Sequence, residues 1–338
     1  METVNLELIK RVFLHINRTE KQAELLPDRQ KWSKLTSALY TLEDSTNAVG
    51  YYIDSAYPSD YRGKYLFTYG LFQAIVLQQD SVKSISYALF NKTIDFKSKY
   101  PYAYRVRELR NDTTGHPTNR DGDKQFIRLA QNSLNKYSFY YCKDNHKDGE
   151  KHDIIDVNIE KAISDTSQCV NTILQKAVER LDKEFKEYIE KHKDRKMTDI
   201  FNRLDYAREK TLLDDTMRIW GYNATKDMVA KCEKEIIKRY GSVEMVDSFK
   251  FLLDDIHELY ALIDDIYTIS PESQERLWHY LVELLFVKLD ELKRYCEETD
   301  EYFENYGEPV IDESDKLENI TVHFDFSDKE EVENDLID

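Results

Sequence analysis

Glycine and proline are scarce in this chain, nine and six among 338 residues, against ordinary usage of about 7% and 5%. Glycine loosens helices and proline interrupts them, so a long chain poor in both has the composition of a helical protein, not a turn-rich one. Cysteine is equally sparse. Cys142, Cys169, Cys232 and Cys296 lie far apart in sequence and form no Cys-x-x-Cys pair. This argues against a structural zinc site and fits reduced thiols in a cytosolic protein. No apolar run approaches the ~18 residues of a membrane span. The opening residues, Met1-Glu-Thr-Val-Asn-Leu-Glu, lack the basic and apolar stretches of a secretory signal. The expected location is the cytoplasm, without a membrane partner.

What is present supports a folded core: 41% of residues are hydrophobic and 12% aromatic. The length suits two domains, or one with a large extension. The formal charge of −17 speaks against nucleic acid, but its distribution reverses that reading. Residues 297–338 hold 17 acidic residues and two lysines, which leaves only about −2 for the first 296. Between Lys92 and Arg128, nine basic residues face five acidic ones. A phosphate-bearing partner is therefore permitted there and disfavoured elsewhere.

Apolar residues recur at helical spacing through most of the chain. Helices are predicted at about 6–26, ending before Pro27, and at 30–53 and 65–90. Pro101 suits the first position of another that reads Tyr-Ala-Tyr-Arg-Val-Arg-Glu-Leu-Arg. A short helix is expected near 124–135. The aromatic and β-branched runs at 137–141 and 153–157 then suggest a small hairpin. Helical patterns resume at 159–192, 198–219, 225–239, 243–267 and 271–304. Residues 320–326 alternate like a strand, and the acidic end has the composition of a disordered segment. The expected organisation is a helical domain over 1–158 that ends in a hairpin, a second helical region over 159–296, and an acidic tail over 297–338.

One stretch is chemically sharp: Arg110-Asn-Asp-Thr-Thr-Gly-His116-Pro117. On an unbroken helix, side chains six apart diverge by about 120°. Gly115 and Pro117 end the helix, so the chain can turn the His116 imidazole back towards the Arg110 guanidinium. Asn111 and Asp112 can bond the terminal backbone or orient the pair. An arginine that grips phosphate oxygens and a histidine that moves a proton near neutral pH suit phosphodiester chemistry without a metal or cofactor. Arg105, Arg107, Arg120 and Lys124 supply a basic neighbourhood for RNA, and Tyr104 or Tyr102 could stack on bases. Asp80 or Gln79, in a helix that also carries Gln73 and Gln78, could orient Arg110 or RNA; the simpler reading of these four is a solvated helix face. The plainer reading of the motif is a helix C-cap with its histidine bonded to backbone.

Arg110-Asn-Asp-x-x-Gly-His116 resembles the Arg-x(4–6)-His signature of the HEPN superfamily. The fuller run from Arg107 to Pro117, with Tyr69-Gly-Leu-Phe-Gln-Ala-Ile-Val-Leu-Gln-Gln-Asp80 upstream, is similar to a bacterial HEPN-like group. The resemblance covers about residues 30–140. It implies an all-α antiparallel bundle, which usually dimerises so that two motifs face one cleft. Many members are metal-independent endoribonucleases, often toxins or phage-defence effectors with an antitoxin or defence-system partner. By position, Arg110 would bind phosphate, His116 would be catalytic, and Asn111 would be the polar residue after the arginine. Asp112 matches only the subgroup. Other members are non-catalytic scaffolds or sensors that bind nucleotide or protein, and a purely structural helical protein is a third possibility.

Other polar groups read more simply. The run Asp254-Asp-Ile-His257-Glu258 with Asp264-Asp265 suggests a metal site, but Glu258 and Asp265 are about 10 Å apart along the axis, too far to hold one ion. Asp254, Glu258 and Asp265 share one helix face opposite the apolar stripe Phe249, Leu252, Leu253, Ile256, Leu259, Ile263 and Ile266. That is the pattern of a solvated acidic helix face.

Overall fold

The computed structural model describes residues 1–115, 125–145, 151–213, 217–268 and 271–306. The chain opens with α1 (Leu6–Ile16) and α2 (Thr19–Leu25), followed by a long hairpin of α3 (Arg29–Asp54) and α4 (Tyr61–Phe90). The short α5 (Phe96–Lys99) leads to α6 (Pro101–Arg110), which continues as a π-helical turn over Asn111–Gly115. Strands β1 (Gln125–Leu129), β2 (Ser138–Asn145) and β3 (Lys151–Asn158) follow. The remainder is helical: α7 (Ile159–His192), α8 (Leu204–Leu212), α9 (Met217–Tyr240), α10 (Asp247–Asp264) and α11 (Pro271–Glu304). Among the described residues, no helix is long and apolar enough to cross a membrane.

The helix ends follow their local chemistry. Asn5, Asp28, Asp60, Asp95 and Asn158 each accept a backbone N–H in the first turn of the helix they cap. Pro101 opens α6, where its missing N–H costs nothing. Gly221 lets α8 and α9 approach closely. A Cβ there would lie 2.5 Å from Thr211 Oγ1 and 2.7 Å from the Ala207 carbonyl oxygen.

Three expectations are corrected. The expected helix over 198–219 is instead a 3-10 turn over Thr198–Phe201 and the short α8, with α9 already under way at Met217. The segment near 124–135 is not a helix: it forms strand β1 and a 3-10 turn over Gln131–Ser133. Phe126, Ile127, Leu129 and Ala130 mimic helical spacing over so short a run, but pairing with β2 and burial of Ile127 decide for strand. The protein is thus mostly helical with a three-stranded antiparallel sheet in the order β1-β2-β3, richer in strand than a lone hairpin. The expected single helix over 6–26 breaks at Asn17 and Arg18, where Arg18 is extended. No glycine or proline marks that break. Arg18 instead turns towards its partners: it lies 3.5 Å over the Phe185 ring and donates to Tyr306 Oη at 2.6 Å and His15 Nδ1 at 3.0 Å.

Three apolar clusters organise the interior. One joins α1, α3, the end of α4 and the middle of α7. A second joins α3, the start of α4, α6, the inner face of the sheet and the start of α7. The third lies within 197–296. Helix α7 therefore belongs to the cores of the first half along most of its length. Its last turns, with Phe185 and Ile189, meet Phe303 and Tyr306 at the end of α11. Cys232 and Cys296, distant in sequence, are free thiols with Sγ atoms 3.6 Å apart inside the third cluster.

Polar groups flank this junction of α7 with α11. His15 donates from Nε2 to Asp182 at 2.7 Å, the tautomer that leaves Nδ1 to accept from Arg18. Burial, then the Arg18 charge, holds its pKa below the ordinary value. His192, 2% exposed, is pushed down to about 4 by burial and by Arg239. Both histidines are neutral at neutral pH.

Candidate nucleic-acid site

Helices α4 and α6 run antiparallel, and two arginines on α6 reach across to α4. Arg107 and Arg110 are three residues apart, which places them one above the other on neighbouring turns. Gln73 and Asp80 are seven apart on α4, about two turns, and so share a face. The four meet in two pairs.

At the Arg107 end the network is closed. Arg107 Nη2 donates to Asp80 Oδ1 at 2.7 Å, and Nε donates to Gln79 Oε1 at 3.3 Å. Gln79 is fully buried, and its amide donates to the Ala103 carbonyl at 2.9 Å and to Thr166 Oγ1 at 3.3 Å. Three helices, α4, α6 and α7, are tied through one side chain. Asp80 thus serves Arg107, not Arg110. Gln78 and Gln79 are buried, so they do not belong to a solvated face.

The Arg110 end is open. Its Nη2 donates to Gln73 Oε1 at 2.7 Å, and Nη1 to Asn111 Oδ1 at 3.1 Å. Both acceptors are neutral. Among the described residues, no carboxylate lies within 4.0 Å of the Arg110 guanidinium. The side chain is half-buried, and Gln73 is exposed.

The helix C-terminal to Arg110 widens into its π turn, a local insertion that recurs at functional sites. Thr113 and Thr114 help hold it by donating to the Leu109 carbonyl at 2.8 Å and the Arg110 carbonyl at 3.2 Å. A Cβ on Gly115 would lie 3.1 Å from Arg110 Nη1. Glycine here leaves room for the guanidinium as well as winding the helix down. Asp112 is buried and turns away from Arg110 to β2, where its Oδ2 lies 3.5 Å from Tyr141 Oη and 3.7 Å from Lys143 Nζ. The sheet therefore braces the turn that carries the motif.

The remaining candidates divide. Asn111 stands beside Arg110. Arg105 is exposed near Tyr102, while Tyr104 is half-buried and packs against the first apolar cluster. His116, Arg120 and Lys124 lie outside the described residues. Gln73, Gly115, Tyr141 and Lys143 were not singled out as site residues by sequence reasoning. The seven-residue spacing of Gln73 and Asp80 was the available signal for the first.

Among the described residues, no group of three or more His, Cys, Asp or Glu side chains is placed to hold a metal ion. On α10, Asp254 pairs with Lys250 at 2.9 Å, His257 with Glu233 at 2.6 Å and Asp264 with Lys226 at 2.6 Å. The acidic face there is a set of solvated ion pairs. No family model, no curated protein and no solved structure matches this chain.

Proposed function

We propose that this protein is a metal-independent endoribonuclease of the HEPN type. The observation that carries the reading is the electrostatic state of Arg110: its only described partners, Gln73 and Asn111, are neutral. Its charge is left for an anion, and a carboxylate partner would have cancelled it. An arginine so held can take two phosphate oxygens and neutralise a pentacoordinate transition state.

In the proposed reaction a ribose 2′-oxygen attacks the adjacent phosphorus in line. The new P–O2′ bond forms as the P–O5′ bond breaks, and the proton lost by the 2′-hydroxyl ends on the 5′-oxygen leaving group. His116 is assigned to that proton movement. The products carry a 2′,3′-cyclic phosphate and a 5′-hydroxyl. Two copies facing one cleft, and a setting in bacterial stress or phage defence, come from the family resemblance.

The test is cleavage of a mixed RNA pool in excess EDTA, beside Arg110→Ala and His116→Ala. Cyclic-phosphate products that vanish in both variants, with RNA still bound by His116→Ala, are the expected result. Unchanged cleavage by His116→Ala removes the assigned mechanism. A folded wild type that binds but never cuts RNA favours the non-catalytic scaffold or sensor.

A further inference from the structure

Tyr102 stands on the first turn of α6 with 60% of its surface exposed. The Arg105 guanidinium, one turn further along α6, lies 5.8 Å from its ring centroid, and Lys161 Nζ from the first turn of α7 lies 5.5 Å away. Lys97 and Lys99, both exposed, precede the ring by a few residues. Among the described residues, Arg105 has no carboxylate within 4.0 Å. Lys161 shares its charge with Asp165 at 2.9 Å. An exposed aromatic ring set among cations differs from the many core aromatics of this chain: a base can take the place of a cation over the ring, and the cation it displaces offers a phosphate contact.

Tyr102 also lies on the helix that presents Arg110. Eight residues separate them, about 12 Å along the axis. A flexible single strand can bridge that span. A duplex buries its bases and could not use the ring.

We infer that Tyr102, flanked by Arg105 and Lys161, is a base-stacking platform for single-stranded RNA that leads the strand to Arg110. This subsite rests on the reading of the Arg110 site as RNA-acting. It takes any base, because every base offers a π-face, so it sets strandedness and not sequence. Tyr87 supplies an internal comparison, since it is 41% exposed with Lys34 Nζ 4.6 Å from its ring but stands on α4 and not on the helix that carries Arg110.

The experiment uses the full chain in excess EDTA. A single-stranded oligoribonucleotide containing 2-aminopurine reports stacking, and the anisotropy of a labelled oligouridine reports affinity. Wild type should quench 2-aminopurine. Tyr102→Ala should lose the quench and bind about tenfold more weakly, whereas Tyr102→Phe keeps both and Tyr87→Ala behaves as wild type. Arg105→Ala and Lys161→Ala should each flatten the salt dependence by about 0.7 in log–log slope. Wild-type affinity in Tyr102→Ala, absence of quenching by wild type, or preference for duplex would overturn the platform. Cleavage followed on the same samples separates the two ideas. Tyr102-dependent quenching without any cutting supports the platform and removes the nuclease reading. Arg110-dependent cutting without such quenching keeps the nuclease reading and overturns the platform.

Discussion

The two ends of the α4–α6 contact hold the same residue type in opposite states. Arg107 is bound by the Asp80 carboxylate and by a buried glutamine that also secures Ala103 and Thr166. Among the described residues, Arg110, one turn away, meets only neutral oxygens and a glycine that makes way for it. The first arginine is a structural tie whose charge is compensated. The second has only uncharged acceptors, Gln73 and Asn111, among the described residues. Where cations cluster in sequence, the placement of a single carboxylate decides which of them is available, and a basic stretch overstates the number.

The comparison can be broken at its closed end first. Gln79→Ala should destabilise the fold by about 2 kcal/mol, since it leaves buried polar partners unmet. Urea unfolding would measure this, and a loss below about 0.5 kcal/mol would show that the three-helix tie is incidental.

The far end of α7 offers a similar effect through pH. His192 has a folded pKa of about 4 against about 6.5 unfolded. Between those values the unfolded chain binds more protons, so stability falls as pH drops through 6.5 and levels off below about 4. From pH 7 to 5 this group alone should remove about 2 kcal/mol. His192→Phe should flatten that part of the profile. An unchanged slope would place the acid sensitivity elsewhere.

A smaller effect belongs to the exposed half of the Arg107 tie. Asp80→Asn should change unfolding free energy by less than about 1 kcal/mol, because the pair is partly solvated. Its sharper consequence is for RNA: freeing Arg107 should strengthen binding and steepen its salt dependence. Weaker binding would mean that Asp80 orients the RNA site. Gly115→Ala should be the mildest to the fold, within about 0.5 kcal/mol. It should still lower cleavage several-fold, because the new methyl displaces the Arg110 guanidinium.

Much of this fold was legible from apolar periodicity. The helices at 30–53, 65–90 and 159–192 match α3, α4 and α7 closely, and Pro101 marked the start of α6. The strand β1 was not legible, because five residues are too few to separate a period of 2 from one of 3.6, and the pairing partner decided. The break at Arg18 was invisible because its cause is Phe185 and Tyr306, far along the chain. In the site, Arg110 and Asn111 could be read as neighbours. The pairing of Asp80 with Arg107 could not, because it depends on how far α6 slides along α4. Likewise, Tyr104 looked as suitable as Tyr102 until the axis of α6 showed which ring faces the core.

The most direct measurement compares the two arginines in one assay: cleavage of a mixed RNA pool in excess EDTA by wild type, Arg107→Ala and Arg110→Ala, at matched folded fraction. The account predicts that Arg110→Ala loses about 100-fold or more, while Arg107→Ala stays within a few-fold of wild type and shows its effect in stability. Equal losses in both variants, or a greater loss in Arg107→Ala, would contradict it.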